Sequence, residues 1–167
     1  MRYAAVMAGL AVVGLAAGAA QGGPSEDLWS SQAAVESGGD ARAYNAREGA
    51  AGIVQIRPQC LADINRIAQI LGLAVRYSAA DRFDSAKSRQ MWDLYLRFWG
   101  ERYEDETGRA PTDEVYARIW NGGPTGWRKG TTRDYWRRVL DAMPQEGDLA
   151  VASAGAPPEG DSDGKAG

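Results

Sequence analysis

The chain has 167 residues, 44% of them apolar and 25% charged, with a formal net charge of -3; this is ordinary globular composition, with room for one domain and short extensions. With no histidine and a single cysteine, it cannot build a Ser-His-Asp triad, a Cys-His pair, a His-ligated zinc site, a cysteine cluster or an intrachain disulfide. Acid–base chemistry near neutral pH is left to carboxylates, tyrosines or lysines with displaced pKa values, and no metal or cofactor is expected. Between Pro24 and Met143 the acidic and basic side chains balance, whereas the segment after Met143 is acidic. A neutral core offers no electrostatic footing for nucleic acid.

In chain order, residues 1–20 read as a secretory signal peptide. Arg2 is a short positive start, Tyr3 to Leu15 is uncharged and apolar, and Ala17-Gly18-Ala19 is a small-x-small cleavage site. The alternative is an uncleaved membrane anchor, and membrane contact is expected only then. The segment is short and rich in Ala and Gly for a span. Either way the domain is exported, to the periplasm or the extracellular space. Residues 24–143 read as one folded domain, and 144–167 as a disordered acidic tail too poor in apolar residues to offset its ordering entropy.

Within the domain the helical period dominates. Ser25 can cap a first helix, with Glu26 and Asp27 in its first turn; Leu28 and Val35 share one stripe, Trp29, Ala33 and Glu36 the next, and Gly38-Gly39 ends it. Asp40 to Arg57 has no helical period, and Gly52 to Ile56 suits a short strand or hairpin arm. A second helix follows Pro58, with Leu61, Ile64, Ile67, Ala68 and Leu71 on one face and Gly72 as its stop. Cys60 on that helix reads as a small buried apolar residue. Leu73 to Arg82 gives no reading. Asp84 or Ser85 can cap a third helix bearing Met91, Trp92, Tyr95, Leu96, Trp99 and Tyr103. Thr112 caps a short fourth that ends at Asn121-Gly122-Gly123-Pro124. Thr131 or Thr132 opens a fifth, with Tyr135, Trp136, Val139, Leu140 and Met143 on its apolar side. The expected fold is mainly α: about five helices with a small β-hairpin or irregular insert.

Three segments carry the chemistry: Val35-Glu36-Ser37-Gly38-Gly39; Gly49-Ala50-Ala51-Gly52-Ile53-Val54-Gln55-Ile56-Arg57-Pro58; and Ile119-Trp120-Asn121-Gly122-Gly123-Pro124. Their order and spacing resemble the lysozyme-like superfamily, specifically the soluble lytic transglycosylases and the related goose-type lysozymes. Those families show Glu-Ser followed by small residues, then Gly-Leu-Met-Gln-(Ile/Leu)-x-Pro, then Ala-Tyr-Asn-Ala-Gly-Pro. A weaker match runs from Arg82-Phe83-Asp84-Ser85-Ala86-Lys87 to Leu94-Tyr95-Leu96. The resemblance covers roughly Trp29 to Trp127. The chain departs from the pattern at Ile53-Val54, a tolerable apolar exchange, and at Trp120, which loses a phenol hydroxyl.

The residues agree with that chemistry. Cutting a glycosidic bond needs a proton delivered to the leaving oxygen, and a glutamate supplies it near pH 7 only when its pKa is raised. Glu36 suits the task, at the C-terminal end of a helix where the dipole disfavours negative charge, beside Trp29 and Ala33 and before a Gly-Gly turn. Gln55 is expected to line the cleft and bond sugar hydroxyls, or else its own backbone. Trp120 is expected to stack on a sugar face or pack in the core. Asn121 lies across from the acid or caps its helix, and Ser37 contacts substrate or its own helix. Tyr95 reads as core. Glu48 is the candidate second carboxylate for an inverting hydrolase, set against a plain exposed loop acid; Asp40 is a poorer candidate, a turn residue.

The resemblance implies a monomeric, metal-free enzyme acting on peptidoglycan glycan strands at the MurNAc–GlcNAc bond. Because Arg57 stands where goose-type enzymes tend to carry an acid, the reading leans to the transglycosylase route. There the substrate's N-acetyl group assists, Glu36 acts as acid and then as base, and a 1,6-anhydro end results. The rivals are a hydrolytic muramidase or chitinase on the same fold and a non-catalytic glycan-binding protein on a lysozyme scaffold.

Overall fold

The computed structural model describes residues 22–145; the stretch read as a signal peptide, residues 1–20, and the expected tail from residue 146 onward lie outside the described residues. Helix α1 spans Glu26–Ser37, and a hairpin of two short antiparallel strands, β1 Tyr44–Asn45 and β2 Ala50–Ala51, follows it. Then come α2 Pro58–Ile70, α3 Ser85–Thr107, α4 Asp113–Gly122 and α5 Arg133–Asp141, with single 3-10 turns at Ala80–Phe83, Gly126–Arg128 and Gly130–Thr132. The mainly helical fold with one small antiparallel sheet is the one the sequence leads us to expect. Among the described residues no helix is long and apolar enough to cross a membrane.

Local chemistry sets the helix ends. The Ser25 hydroxyl accepts from the Leu28 N–H and donates to Asp113 at 2.6 Å, tying the start of α1 to that of α4. Gly38 closes α1 in the left-handed conformation, its N–H returning to the carbonyls of Ala33 and Ala34. Asp84, rather than Ser85, caps α3, and Thr112 caps α4. Thr132 precedes α5 without capping it. Its hydroxyl is taken up by the carbonyls of Gly126 and Lys129, and it accepts from Arg118.

Helix α3, about 34 Å long, is the spine. It packs against α2 and α4, while α5 lies across α1 and α4. Trp92, Leu28, Ile64, Ile67, Met91, Leu96 and Ile119 fill the core with no exposure. Three apolar positions differ from the expected faces. Leu71 and Leu140 are about half exposed, because Leu71 falls just past the end of α2 and Leu140 on the outer side of α5. Phe98, absent from the expected stripe of α3, is buried instead.

The hairpin also differs from expectation. Gly52 to Ile56 is not a strand arm: Tyr44 pairs with Ala51 and Asn45 with Ala50, and the chain then turns so that Ile56 bridges back to Ala51. The stretch Leu73 to Arg82, unreadable from sequence, supplies the prop beneath this turn. The Asn65 amide bonds the Tyr77 backbone in both directions at 2.8 Å. Arg82 is then carried beneath the hairpin, where its buried guanidinium donates to the carbonyls of Gly49, Ile56 and Ala79. Gly52 closes against it: φ is +80°, and a Cβ there would sit 1.7 Å from the Arg82 carbonyl oxygen. Gly52→Ala is therefore expected to lower stability by about 2–4 kcal/mol, seen as a fall in the urea midpoint; an unchanged midpoint would contradict this packing.

Candidate functional site

The hairpin, the turn after it, the start of α2 and the end of α4 enclose one groove of about 850 Å³. Glu36, Glu48, Gln55, Trp120 and Asn121 all line it, so five of the six residues singled out from sequence meet on one surface. Ser37 does not. Its hydroxyl donates to the Ile53 carbonyl at 2.7 Å and the Ala33 carbonyl at 3.3 Å, which fastens the end of α1 to the turn carrying Gln55. Its single proton is thus spent on backbone carbonyls, and the residue is not part of the groove lining. Asp40 is an exposed turn residue accepting from the Arg42 N–H and lies outside the groove lining.

Glu36 sits in the last turn of α1, largely withdrawn from water. Burial is the main influence on it and pushes its pKa up. A hydrogen bond from Tyr135 and the charges of Arg57 and Arg138 oppose the rise, and Glu48 adds to it. The carboxyl oxygen Oε1 accepts from the Tyr135 hydroxyl at 2.8 Å. That hydroxyl accepts from the Gln32 amide at 2.9 Å, and the Gln32 carbonyl accepts from the Trp92 indole N–H at 2.9 Å. Four residues from three helices thus form one buried polar chain ending at the groove. No buried side-chain polar atom among the described residues lacks a partner.

Glu48 stands in the loop between β1 and β2. Asn45 shapes that loop by accepting, through its side chain, from the N–H groups of Arg47 and Glu48. Its carboxylate is half exposed and paired with Arg57, whose Nε and Nη2 approach Oε2 at 2.9 and 2.7 Å. Gln55 adopts a left-handed backbone (φ 51°), a conformation that costs a non-glycine residue energy and persists where its surroundings impose it. Its amide nitrogen donates to Gly52 and Ala43 carbonyls, so only its Oε1 is left for a ligand. Trp120 donates its indole N–H to the Val54 carbonyl at 3.2 Å and meets Tyr95 edge-on at 5.8 Å; it is half-buried, part groove wall and part core. Asn121 lies inside α4 rather than capping it.

The sequence alone does not mark Tyr135 and Gln32 as the groups hydrogen-bonded behind Glu36. Tyr135 falls on the apolar stripe of α5 and reads as core. The available signal was Gln32 itself, a polar residue one helical turn before Glu36 on a face that is otherwise buried. Farther along the groove lie Asp63 and Arg66, ion-paired at 2.6 Å, with Asp63 also accepting from Trp99.

Comparisons with known proteins agree on the scaffold. No family model matches the chain. It is 50% identical over 38 residues to Lysozyme 1 of Crassostrea virginica, a match covering 23% of this chain and 21% of that protein; the chain thus spans about a fifth of the relative it matches. It also resembles, at TM-score 0.59 and 25% identity, a chain in the crystal structure of Aeromonas hydrophila PliI in complex with Meretrix lusoria lysozyme. That likeness covers 77% of this chain and 98% of the other. Neither singles out the lytic transglycosylase or goose type; what they support together with the helical architecture is a lysozyme-like fold.

Proposed function

We propose that the chain is an exported glycosidase that hydrolyses the MurNAc–GlcNAc β-1,4 bond of peptidoglycan, with Glu36 as general acid and Glu48 as the second carboxylate. The observation that carries this is the largely buried Glu36 carboxyl, raised in pKa and hydrogen-bonded to Tyr135, at the wall of a ligand-sized groove. A neutral Glu36 hands its proton to the leaving oxygen as the bond breaks, and the sugar left behind gains oxocarbenium character. Glu48, a neighbour in the same groove, is the group to face that charge or to draw a proton from the attacking water. Asn121, the Gln55 carbonyl oxygen and the Trp120 face would hold the glycan. The likeness over 38 residues to a protein called Lysozyme 1 supports a muramidase-type activity.

A second reading is favoured by the grip of Arg57 on Glu48, which competes with use of that carboxylate as a base. In this lytic transglycosylase route the substrate's N-acetyl group assists, Glu36 takes back a proton from the sugar's own 6-hydroxyl, and a 1,6-anhydro end forms. Mass spectrometry separates the two, since the anhydro product is lighter by one water. Glu48→Gln is expected to cut turnover about 10-fold or more on the hydrolytic route and to leave the transglycosylase route near wild type.

Glu36→Gln is expected to slow peptidoglycan clearance by roughly 10³-fold while retaining sedimentation with glycan; undiminished clearance would remove Glu36 from the reaction. The raised pKa also predicts a pH-dependent stability. The folded state prefers neutral Glu36, so this contribution is complete below the unfolded pKa of about 4.3 and is lost as pH rises through the higher folded value. Glu36→Gln should therefore melt above wild type at pH 7–8, and that margin should disappear near pH 4. A margin independent of pH would contradict the burial of a titrating carboxyl.

A further inference from the structure

We infer that the buried chain Trp92–Gln32–Tyr135 dictates which oxygen of Glu36 carries the proton, and that Tyr135 and Gln32 are positioning residues for the acid; this rests on the reading of Glu36 as the general acid. The polarity of the chain is fixed from its far end. An indole N–H can only donate, so the Gln32 side chain must turn its carbonyl toward Trp92, at 2.9 Å, and its amide toward Tyr135, also at 2.9 Å. The amide N–H₂ can only donate in its turn, so the Tyr135 oxygen accepts there. The single phenolic proton is then committed to Oε1 of Glu36 at 2.8 Å. Turning the Gln32 amide over sets two donors face to face inside the core, a buried mismatch.

Oε1 is thereby an acceptor whether Glu36 is neutral or ionised, and the proton arrives and leaves at Oε2, which holds no side-chain or backbone partner among the described residues. Glu36 lines the groove, so Oε2 is the oxygen left to meet a substrate. Without the chain, a neutral carboxyl could donate to the phenol and point its proton into the core. The groups facing Glu36 are Tyr135 and Arg138 from α5, Arg57 from the start of α2 and Glu48 from the hairpin loop. Tyr135 stays protonated throughout, since burial and the adjacent Glu36 push its pKa well above the ordinary phenol range.

The test compares full-length wild type, Tyr135→Phe and Gln32→Leu. Glu36 is titrated by NMR on ¹³Cδ-glutamate protein, its signal assigned with Glu36→Gln, and kcat and KM are measured on solubilised glycan strands against pH. Tyr135→Phe removes the bond that favours the charged form. Its Glu36 midpoint and the alkaline limb of kcat should rise together, kcat should fall roughly 10-fold, and KM should stay within about twofold. Gln32→Leu keeps the phenol but frees its direction, so kcat should fall at constant KM with a smaller midpoint shift. A midpoint that stays or falls in Tyr135→Phe, or wild-type kcat in Gln32→Leu, overturns the proposal; if Tyr135→Phe does not fold, Gln32→Leu decides it. A wild-type chain that cleaves no glycan would sink the enzymatic reading, while the titration would still judge the hydrogen-bond chain by itself.

Discussion

One wall of the groove is arranged around a single difficulty: a carboxyl group withdrawn from water must be held in place without being forced to ionise. A full ion pair would fix it but would also keep it charged, since an opposite charge at contact lowers a carboxyl pKa. The molecule uses a neutral phenol instead. Tyr135 reaches Glu36 from α5, Gln32 steadies Tyr135 from α1, and Trp92 steadies Gln32 from α3. Nearby cations are kept at the level of background charge rather than direct partners. Burial therefore prevails, and the carboxyl is biased toward its neutral form.

The opposite wall answers a different demand. Glu48 rides on a hairpin of two residues per strand, a length that has no independent stability. Its rigidity is borrowed. Arg82 ties the carbonyls at both ends of the turn to the segment before α3, Gly52 packs backbone to backbone on Arg82, and Ser37 fastens the same turn to α1. The left-handed Gln55 is what such tethering produces: a groove-lining residue held where its own preference would not take it.

Much of this was legible in the sequence. Periodicity located five helices, and caps such as Ser25 and Thr112 marked their starts, because these signals are local. The Glu36, Gln55 and Trp120-Asn121 segments were legible because they form a recognisable pattern. The placing of a strand or hairpin arm at Gly52 to Ile56 fails, since Gly52-Ile-Val-Gln-Ile has the composition of a strand while Gly52 is needed at positive φ against Arg82. For Ser37 the sequence left open a ligand contact or a bond to its own helix; the bond to Ala33 is there, while the shorter one to Ile53 reaches a turn with no sequence signature. Tyr135 was hidden for a similar reason: a tyrosine on an apolar stripe looks the same whether its hydroxyl points to solvent or to a buried acid. The partner that decides lies 99 positions away.

That separation has a consequence for assembly. Glu36 sits on α1 and its hydrogen-bond partner Tyr135 on α5, so a chain growing from its N-terminus carries Glu36 long before that partner exists. A partly made or C-terminally clipped molecule would hold the reactive group on a helix end open to water, where it behaves as an ordinary surface glutamate. The hydrogen bond to Glu36 forms only when α5 docks, so the scaffold couples closure of the fold to the environment of that carboxyl.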